Sequence, residues 1–202
     1  MVATGTLLAE SPRQEHEAPF VHFLEVLRHR ASTQPERLAL TFGNGLDTPA
    51  TYTYAQLDQA GQAFGARLQA LGAAGERVVI LLQPSADYVL ALLGCWYAGA
   101  TAVPVFSPKF NASYERVRLI VEDAQARVLV STEAVVQALD AGQWPALADG
   151  ALRTLPVDKA PTEPAALWHM PVIDANSLAV LQYTSGSTGA PKGCACCTGT
   201  CW

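Results

Sequence analysis

The chain carries little charge of either sign: only 15% of its 202 residues are charged, and just three of them are lysine. The formal net charge is −5, and no block of like charges occurs along the sequence. The basic footprint that nucleic-acid-binding proteins need is therefore missing. Half of the residues are hydrophobic, which excludes disorder over most of the length. We expect a folded domain that does not bind nucleic acid.

Long hydrophobic runs are also scarce. The longest apolar stretch, residues 88–105, is interrupted by Gly94, Gly99 and Pro104, which argues against a membrane span. Residues 1–19 lack both a basic start and an apolar core, so they do not form a signal peptide and are expected to be a mobile leader. The expected location is the cytoplasm, with no membrane span.

The remaining pattern alternates strands with helices. A continuous apolar run of the kind found in strands buried on both faces occurs at 78–82, and further strands are predicted at 100–106, 127–131 and 178–181. Segments with helical periodicity precede or separate them, at 20–33, 54–71, 85–97, 114–124 and 133–139. Residues 140–176 are rich in proline and are expected to be a surface connection with one strand near 152–157. The order predicts an α/β fold, a doubly wound sheet with flanking helices.

A loop rich in glycine and hydroxyl groups follows the last apolar strand. Its residues are Thr184, Ser185, Gly186, Ser187, Thr188, Gly189, Ala190, Pro191, Lys192 and Gly193. Glycines let backbone amides come close to an anion, and hydroxyl groups and one lysine add donors and charge, which suits nucleotide phosphates. The spacing fits neither a Walker A loop nor a dinucleotide fingerprint. The alternative to a phosphate-binding loop is a surface turn that binds no ligand, which is common for stretches rich in glycine and serine.

Residues 184–192 resemble, position by position, the signature of the AMP-binding, or adenylate-forming, superfamily. Upstream, 53–57, 75–82 and 98–105 are similar to further segments of that family, so the resemblance covers about 20–193. Leu181-Gln182-Tyr183 before the loop, and the segments 103–108 and 114–117, resemble its fatty acyl-AMP ligase branch. The resemblance implies a partial doubly wound sheet, the first portion of the family's N-terminal domain.

The resemblance also implies a reaction. A carboxylate such as a fatty acid would react with ATP in the presence of Mg²⁺ to give acyl-AMP and pyrophosphate. The acyl group would then pass to a thiol of CoA or a carrier protein. The residues implied to bind the ATP phosphates are Thr184, Ser185, Gly186, Ser187, Thr188, Gly189 and Lys192. The adenine, ribose and magnesium contacts of the family lie downstream of this loop, so we expect this chain alone to be inactive.

Four of the five cysteines crowd into residues 194–202, a tail that departs from the family pattern. Cys194, Cys196, Cys197 and Cys201 could bind zinc or copper(I), although their spacing is unlike that of paired zinc ligands. A frameshift is the favoured explanation. If each codon ends in C where it can, the frame shifted by one base reads Val-Arg-Leu-Leu-His-Arg-His-Leu-Leu, which resembles the family. The gene sequence beyond Trp202 decides between them.

Two hypotheses compete with the ligase fragment: a noncatalytic half-domain that binds a nucleotide or a partner, and a Cys-rich metal-binding tail on an α/β domain. The other polar candidates receive structural interpretations. The four histidines are scattered, which favours surface roles, and Cys95 is expected in the core. Asp123 is expected to cap a helix or to face solvent.

Overall fold

A computed structural model describes residues 20–43, 49–105, 114–141, 144–158, 167–184 and 192–198, with the backbone alone at 141, 145, 148 and 192. The leader predicted for 1–19 and much of the proline-rich connection lie outside the described residues. No helix within the described ranges is long and apolar enough to cross a membrane.

Helices and strands alternate along most of the chain. The helices are α1 Phe23–Thr33, α2 Tyr54–Ala70, α3 Ala86–Ala98, α4 Glu115–Asp123, α5 Glu133–Ala141 and α6 Pro145–Ala148. The strands are β1 Leu38–Phe42, β2 Ala50–Thr53, β3 Arg77–Ile80, β4 Thr101–Pro104, β5 Val128–Ser131, β6 Arg153–Pro156, β7 Leu178–Thr184 and β8 Lys192–Cys197. The predicted α/β class is therefore confirmed.

Six strands form the main sheet in the order β6-β5-β3-β4-β7-β8. All neighbours are parallel except β7 and β8, which pair antiparallel. Strands β1 and β2 form a separate antiparallel hairpin. From β3 the chain moves to one neighbour, β4, and from β4 it crosses back over β3 to β5. This reversal makes the sheet doubly wound, as the sequence predicts.

The central strands are buried on both faces because each face has its own layer of helices. Val78 and Ile80 of β3 belong to the cluster on the side of α2 and α3. Val79 of the same strand packs with residues of α4 and α5 on the other side. Alternate side chains of a strand point to opposite faces, so both kinds of position must be apolar. This double burial explains the continuous apolar runs in the sequence.

Local capping chemistry sets where two of the helices start. The hydroxyl of Thr53 accepts a hydrogen bond from the Gln56 amide at 3.3 Å, and the Gln56 side chain accepts one from the Thr53 amide at 2.9 Å. This reciprocal capping box ends β2 and begins α2 with no intervening loop. Ser85 is the N-cap of α3, and its hydroxyl accepts a hydrogen bond from the Tyr88 amide at 3.1 Å.

Three features differ from the sequence-based expectations. Helix α1 begins at Phe23, because His22 is its N-cap and accepts from the Glu25 amide through Nδ1. His22 is only 4% exposed, so the surface role predicted for it is wrong. A short helix, α6, lies in the proline-rich connection. Residues 192–197, for which the sequence predicts no element, form β8.

Candidate functional site

The predicted phosphate loop connects the two strands at one end of the main sheet. Thr184 is the last residue of β7 and Lys192 is the first of β8, and the two are paired across the antiparallel ladder. Of the predicted phosphate-binding residues, Ser185, Gly186, Ser187, Thr188 and Gly189 lie outside the described residues, as does the side chain of Lys192. The described strands nevertheless fix both points at which the chain enters and leaves the loop.

The loop begins at the edge of the sheet where ligands bind in doubly wound folds. Because β7 is parallel to β4, Thr184 lies at the carboxyl ends of the parallel strands. The chain leaves the neighbouring strands β3 and β4 toward helices on opposite faces, α3 and α4. Such a reversal opens a crevice outside the carboxyl ends of the two strands, and this is the usual ligand position of open α/β sheets.

A cavity of about 310 Å³ occupies this crevice. The residues that line it come from the ends of three parallel strands and from the start of α3: Leu82, Pro84, Tyr88, Pro104, Val105 and Gln182. Gln182 belongs to β7 and lies two residues before the loop. The cavity and the loop thus share one edge of the sheet.

Side chains from α3 and β4 hold the amino end of β7. The Trp96 indole donates a hydrogen bond from Nε1 to the Ala179 carbonyl at 3.1 Å. The Thr101 hydroxyl donates one to the Leu178 carbonyl, also at 3.1 Å. The parallel pairing of β4 with β7 is short and is centred on Ala102 and Val180. The two side-chain hydrogen bonds therefore add to the attachment of β7.

Helix α4 contacts the carboxyl end of β7 at two consecutive residues. The Tyr183 hydroxyl donates to Oδ2 of Asp123 at 2.5 Å. The Arg116 guanidinium donates from Nη2 to the Thr184 carbonyl at 3.3 Å. Partial burial and the neighbouring Asp123 carboxylate raise the pKa of Tyr183. Asp123 therefore has a hydrogen-bond partner far away in the sequence. Its position at the end of a helix does not predict that partner.

Gly193, the glycine that follows Lys192, is paired with Tyr183. A Cβ added at Gly193 would lie 2.9 Å from Cδ1 of Leu181 and 3.4 Å from Cζ of Tyr183. The absence of a side chain there leaves room for both residues of β7. Packing between β7 and β8 thus accounts for this glycine, for which the sequence suggests only close approach to an anion.

The cysteine-rich segment lies on β8 as far as Cys197. Cys194 is exposed, and Cys196 and Cys197 are half-buried. Within the described part of the chain, no group of three or more His, Cys, Asp or Glu side chains could hold a metal ion. Cys201, the fourth of the candidate ligands, lies outside it. The described geometry therefore offers no support for a metal centre.

Comparison with known proteins yields a family match and related sequences. The sequence profile of a family described as AMP-binding enzyme matches residues 27–200, a range that includes most of the cysteine-rich segment. The chain is 31% identical over 179 residues to the medium-chain-fatty-acid–[acyl-carrier-protein] ligase JamA of Moorena producens, covering 86% of this chain. It is 33% identical over 132 residues to the long-chain-fatty-acid–AMP ligase FadD32 of Mycobacterium marinum, covering 65% of this chain.

A solved structure shows the same arrangement. The fatty acyl-adenylate ligase from Legionella pneumophila, in complex with acyl adenylate and pyrophosphate, matches with a TM-score of 0.76 and 31% identity over 88% of this chain. This chain spans 30% of the length of that enzyme, 30% of JamA and 21% of FadD32. The relatives are therefore much longer than the segment described above. The profile match over most of the chain, together with these relatives, shows that the chain belongs to the AMP-binding enzyme family.

Proposed function

We propose that this chain supplies the phosphate loop of a fatty acyl-AMP ligase. In that reaction a carboxylate oxygen attacks the α-phosphorus of ATP. The bond from that phosphorus to the oxygen bridging to the β-phosphate breaks, and pyrophosphate leaves with the electron pair. The observation that carries the proposal is the position of Thr184 and Lys192. They flank the signature loop at the carboxyl edge of the sheet, beside the crevice between β3 and β4.

The loop would hold the phosphates that leave as pyrophosphate. We assign the β- and γ-phosphates to the backbone amides and hydroxyl groups of residues 184–189. These are Thr184, Ser185, Gly186, Ser187, Thr188 and Gly189. Lys192 would add a positive charge at the other end of the loop. Donors fixed in place before the reaction stabilise the charge that develops on a leaving group without reorganisation. The antiparallel pairing of β7 with β8 keeps Lys192 close, because it pairs with Thr184.

Magnesium would be held at this site together with the nucleotide. Mg²⁺ bound to ATP sites is typically held by one or two carboxylates together with substrate phosphates and water. The described residues contain no group of three or more acidic or other ligating side chains. We therefore propose that the ATP phosphates would hold Mg²⁺, which would neutralise part of their charge. The residues of this chain near it would be those of the loop.

The carboxylate is proposed to be a fatty acid. JamA and FadD32 are named for medium-chain and long-chain fatty acids, and the Legionella enzyme for fatty acyl-adenylate. The acceptor thiol is proposed to belong to an acyl carrier protein or to CoA. JamA is named for the former, and a putative fatty-acid–CoA ligase of Mycobacterium leprae, 34% identical to this chain, is named for the latter.

We further propose that the 202-residue segment by itself binds nucleotide phosphate without completing adenylation. It spans less than a third of JamA and of FadD32. A loop can hold phosphate, but catalysis also requires a carboxylate oriented for attack on the α-phosphorus. ATP–pyrophosphate exchange by the purified segment should therefore be absent. Exchange at a rate that Lys192→Ala lowers would contradict this part of the proposal.

The activity itself is tested on the full-length protein that contains the segment. Fatty acids of increasing chain length are supplied with ATP, and the exchange of labelled pyrophosphate into ATP is measured. We expect fatty-acid-dependent exchange that Lys192→Ala reduces by about a hundredfold or more, the size typical of lost transition-state donors. Lys159→Ala, in the proline-rich connection, removes the same charge and should change little. Equal loss in both variants would contradict the role assigned to Lys192. No exchange with any carboxylate would favour a noncatalytic module.

A further inference from the structure

We propose that Asp123 and Arg116 of α4 are positioning residues of the phosphate loop, acting through Tyr183 and Thr184. This inference deepens the proposed function and rests on it. Neither residue belongs to the signature. Their role follows from where their partners lie: Tyr183 immediately precedes the loop, and Thr184 is both the last residue of β7 and the first of the loop.

The two residues lie on the same side of α4. They are seven positions apart, which is close to two helical turns, so both project toward β7 from one face of the helix. The adjacent face is anchored in the core by Val117, Ile120 and Val121, which are 2–4% exposed. The helix is therefore a fixed support, and its two polar side chains reach from it to the strand that leads into the loop.

The contact between Tyr183 and Asp123 is built into the packing of β7. The Tyr183 ring packs against the cluster that contains the buried residues of α4. On its other side, the ring has room because Gly193 of β8 has no side chain. The phenol is thus held between the helix and β8, and it donates to a carboxylate at 2.5 Å. Hydrogen bonds with an ionised acceptor are stronger than those between neutral groups.

Arg116 fixes the next residue through its backbone. Its guanidinium donates to the Thr184 carbonyl, the last carbonyl before the loop in β7. Restraining this peptide would limit the directions available to the loop amides that follow. Because those amides are proposed to bind phosphate, a change in their orientation would weaken binding even though neither α4 residue touches the nucleotide.

A purely structural role predicts something different. The chain contains a second Tyr–Asp hydrogen bond, from the Tyr97 hydroxyl to Asp58, within the cluster of α1, α2 and α3. If these contacts only stabilise the fold, removing either one should lower stability and leave nucleotide affinity unchanged. If α4 positions the loop, only the contact with Tyr183 should affect affinity.

The test measures the affinity of the 202-residue chain for ATP by calorimetric titration. We expect Tyr183→Phe and Asp123→Ala each to weaken binding by about three- to tenfold, and the double variant to be no weaker than either alone. Asp123→Asn, which keeps an acceptor oxygen, should recover most of the affinity. Tyr97→Phe is the matched control, and it should bind ATP as the wild type does.

Charge-matched variants separate positioning from simple attraction of the anionic ligand. Arg118 lies on the same helix but pairs with Glu115 and Glu122. Arg116→Ala should weaken ATP binding by about threefold more than Arg118→Ala, although both remove one positive charge. Glu122→Gln is the corresponding control for Asp123. It should not weaken binding, because the loss of a negative charge near a phosphate site favours an anion.

A spectroscopic measurement tests the contact without nucleotide. The ultraviolet absorbance of phenolate reports tyrosine ionisation, and Tyr183→Phe identifies the contribution of Tyr183. Asp123→Ala should shift that ionisation to lower pH, because the carboxylate and its hydrogen bond raise the phenol pKa. An unchanged titration would show that the contact does not form in solution and would overturn the inference.

The outcomes distinguish the inference from the proposed function. ATP binding that Lys192→Ala abolishes, but that Tyr183→Phe, Asp123→Ala and Arg116→Ala leave within twofold of the wild type, would overturn the positioning role alone. No ATP binding by the folded wild-type chain would overturn the proposed phosphate site and the positioning role with it.

Discussion

Gly65 of α2 lies directly against the backbone of Tyr97 in α3. A Cβ added at Gly65 would be 2.7 Å from the Tyr97 Cβ and 3.0 Å from its carbonyl carbon. The neighbouring Gly61 faces the ring of the same residue, and a Cβ added there would be 2.6 Å from Cε2. The two glycines let α2 and α3 pack at close range on the face of the main sheet that these two helices cover.

We therefore predict that Gly65→Ala destabilises the chain by about 1–3 kcal/mol, the usual cost of overpacking a core. This direction is opposite to helix propensity, which favours alanine over glycine by about 1 kcal/mol. Urea unfolding followed by circular dichroism measures the change. A stability equal to or above that of the wild type would show that α2 and α3 are not in close contact.

Gly61→Ala provides a comparison, because the atoms nearest to its added Cβ all belong to the Tyr97 ring. In a Tyr97→Leu background the ring is absent, so the additional cost of Gly61→Ala should largely disappear. The cost of Gly65→Ala should remain, since the backbone that it meets is unchanged. Equal behaviour of both glycines in that background would contradict the described packing.

The pH dependence of stability should reveal the buried phenol of Tyr97. Burial, followed by the hydrogen bond to Asp58 and its charge, raises the pKa of Tyr97 well above its ordinary value. A raised folded-state pKa means that the stabilisation is fully present below the unfolded value of about 10. Above that pH the unfolded chain releases the proton while the folded chain retains it. The free energy of unfolding must therefore fall as the pH rises.

Urea unfolding at several pH values between 8 and about 11 tests this sign. The wild type should lose more stability over this interval than Tyr97→Phe, which has no proton to release. Tyr183 also has a raised pKa, but it is present in both proteins and so does not affect the difference. Parallel curves for the two proteins would mean that the Tyr97 phenol is accessible to water.

The described cysteines should differ sharply in reactivity. Cys95 is fully buried in α3, and burial raises its thiol pKa, so the reactive thiolate is scarce there. Cys194 is exposed on β8. Titration with a disulfide reagent should modify Cys194 rapidly and Cys95 only after unfolding in urea. Cys194→Ser should remove a fast-reacting thiol, whereas Cys95→Ala should remove a slow one. Rapid modification of Cys95 in the native chain would contradict the burial of α3.

Particular residues show how far the sequence specifies this structure. The run Val78–Leu82 predicts β3 because burial on both faces leaves no polar position. Thr53 and Gln56 predict the start of α2, since their spacing is that of a capping box. The signature at 184–192 identifies the family because it is long and specific, and its position after a strand places it at a sheet edge.

Other features depend on contacts between distant segments, which no local pattern records. The link from Tyr183 to Asp123 joins residues 60 positions apart. The burial of His22 depends on the packing of α1 against the rest of the fold. Strand β8 exists because 192–197 pair with β7, although cysteines give no strong strand signal. In each case tertiary contacts decide the outcome.

The loop between β7 and β8 is proposed to bind the β- and γ-phosphates of ATP. The most direct measurement compares the dissociation constants of ATP and AMP for the wild-type chain and for Lys192→Ala. ATP should bind the wild type more tightly than AMP, and Lys192→Ala should reduce ATP affinity by about tenfold or more while leaving AMP affinity unchanged. Equal affinities for ATP and AMP in the wild type, or an equal loss for both nucleotides, would contradict it.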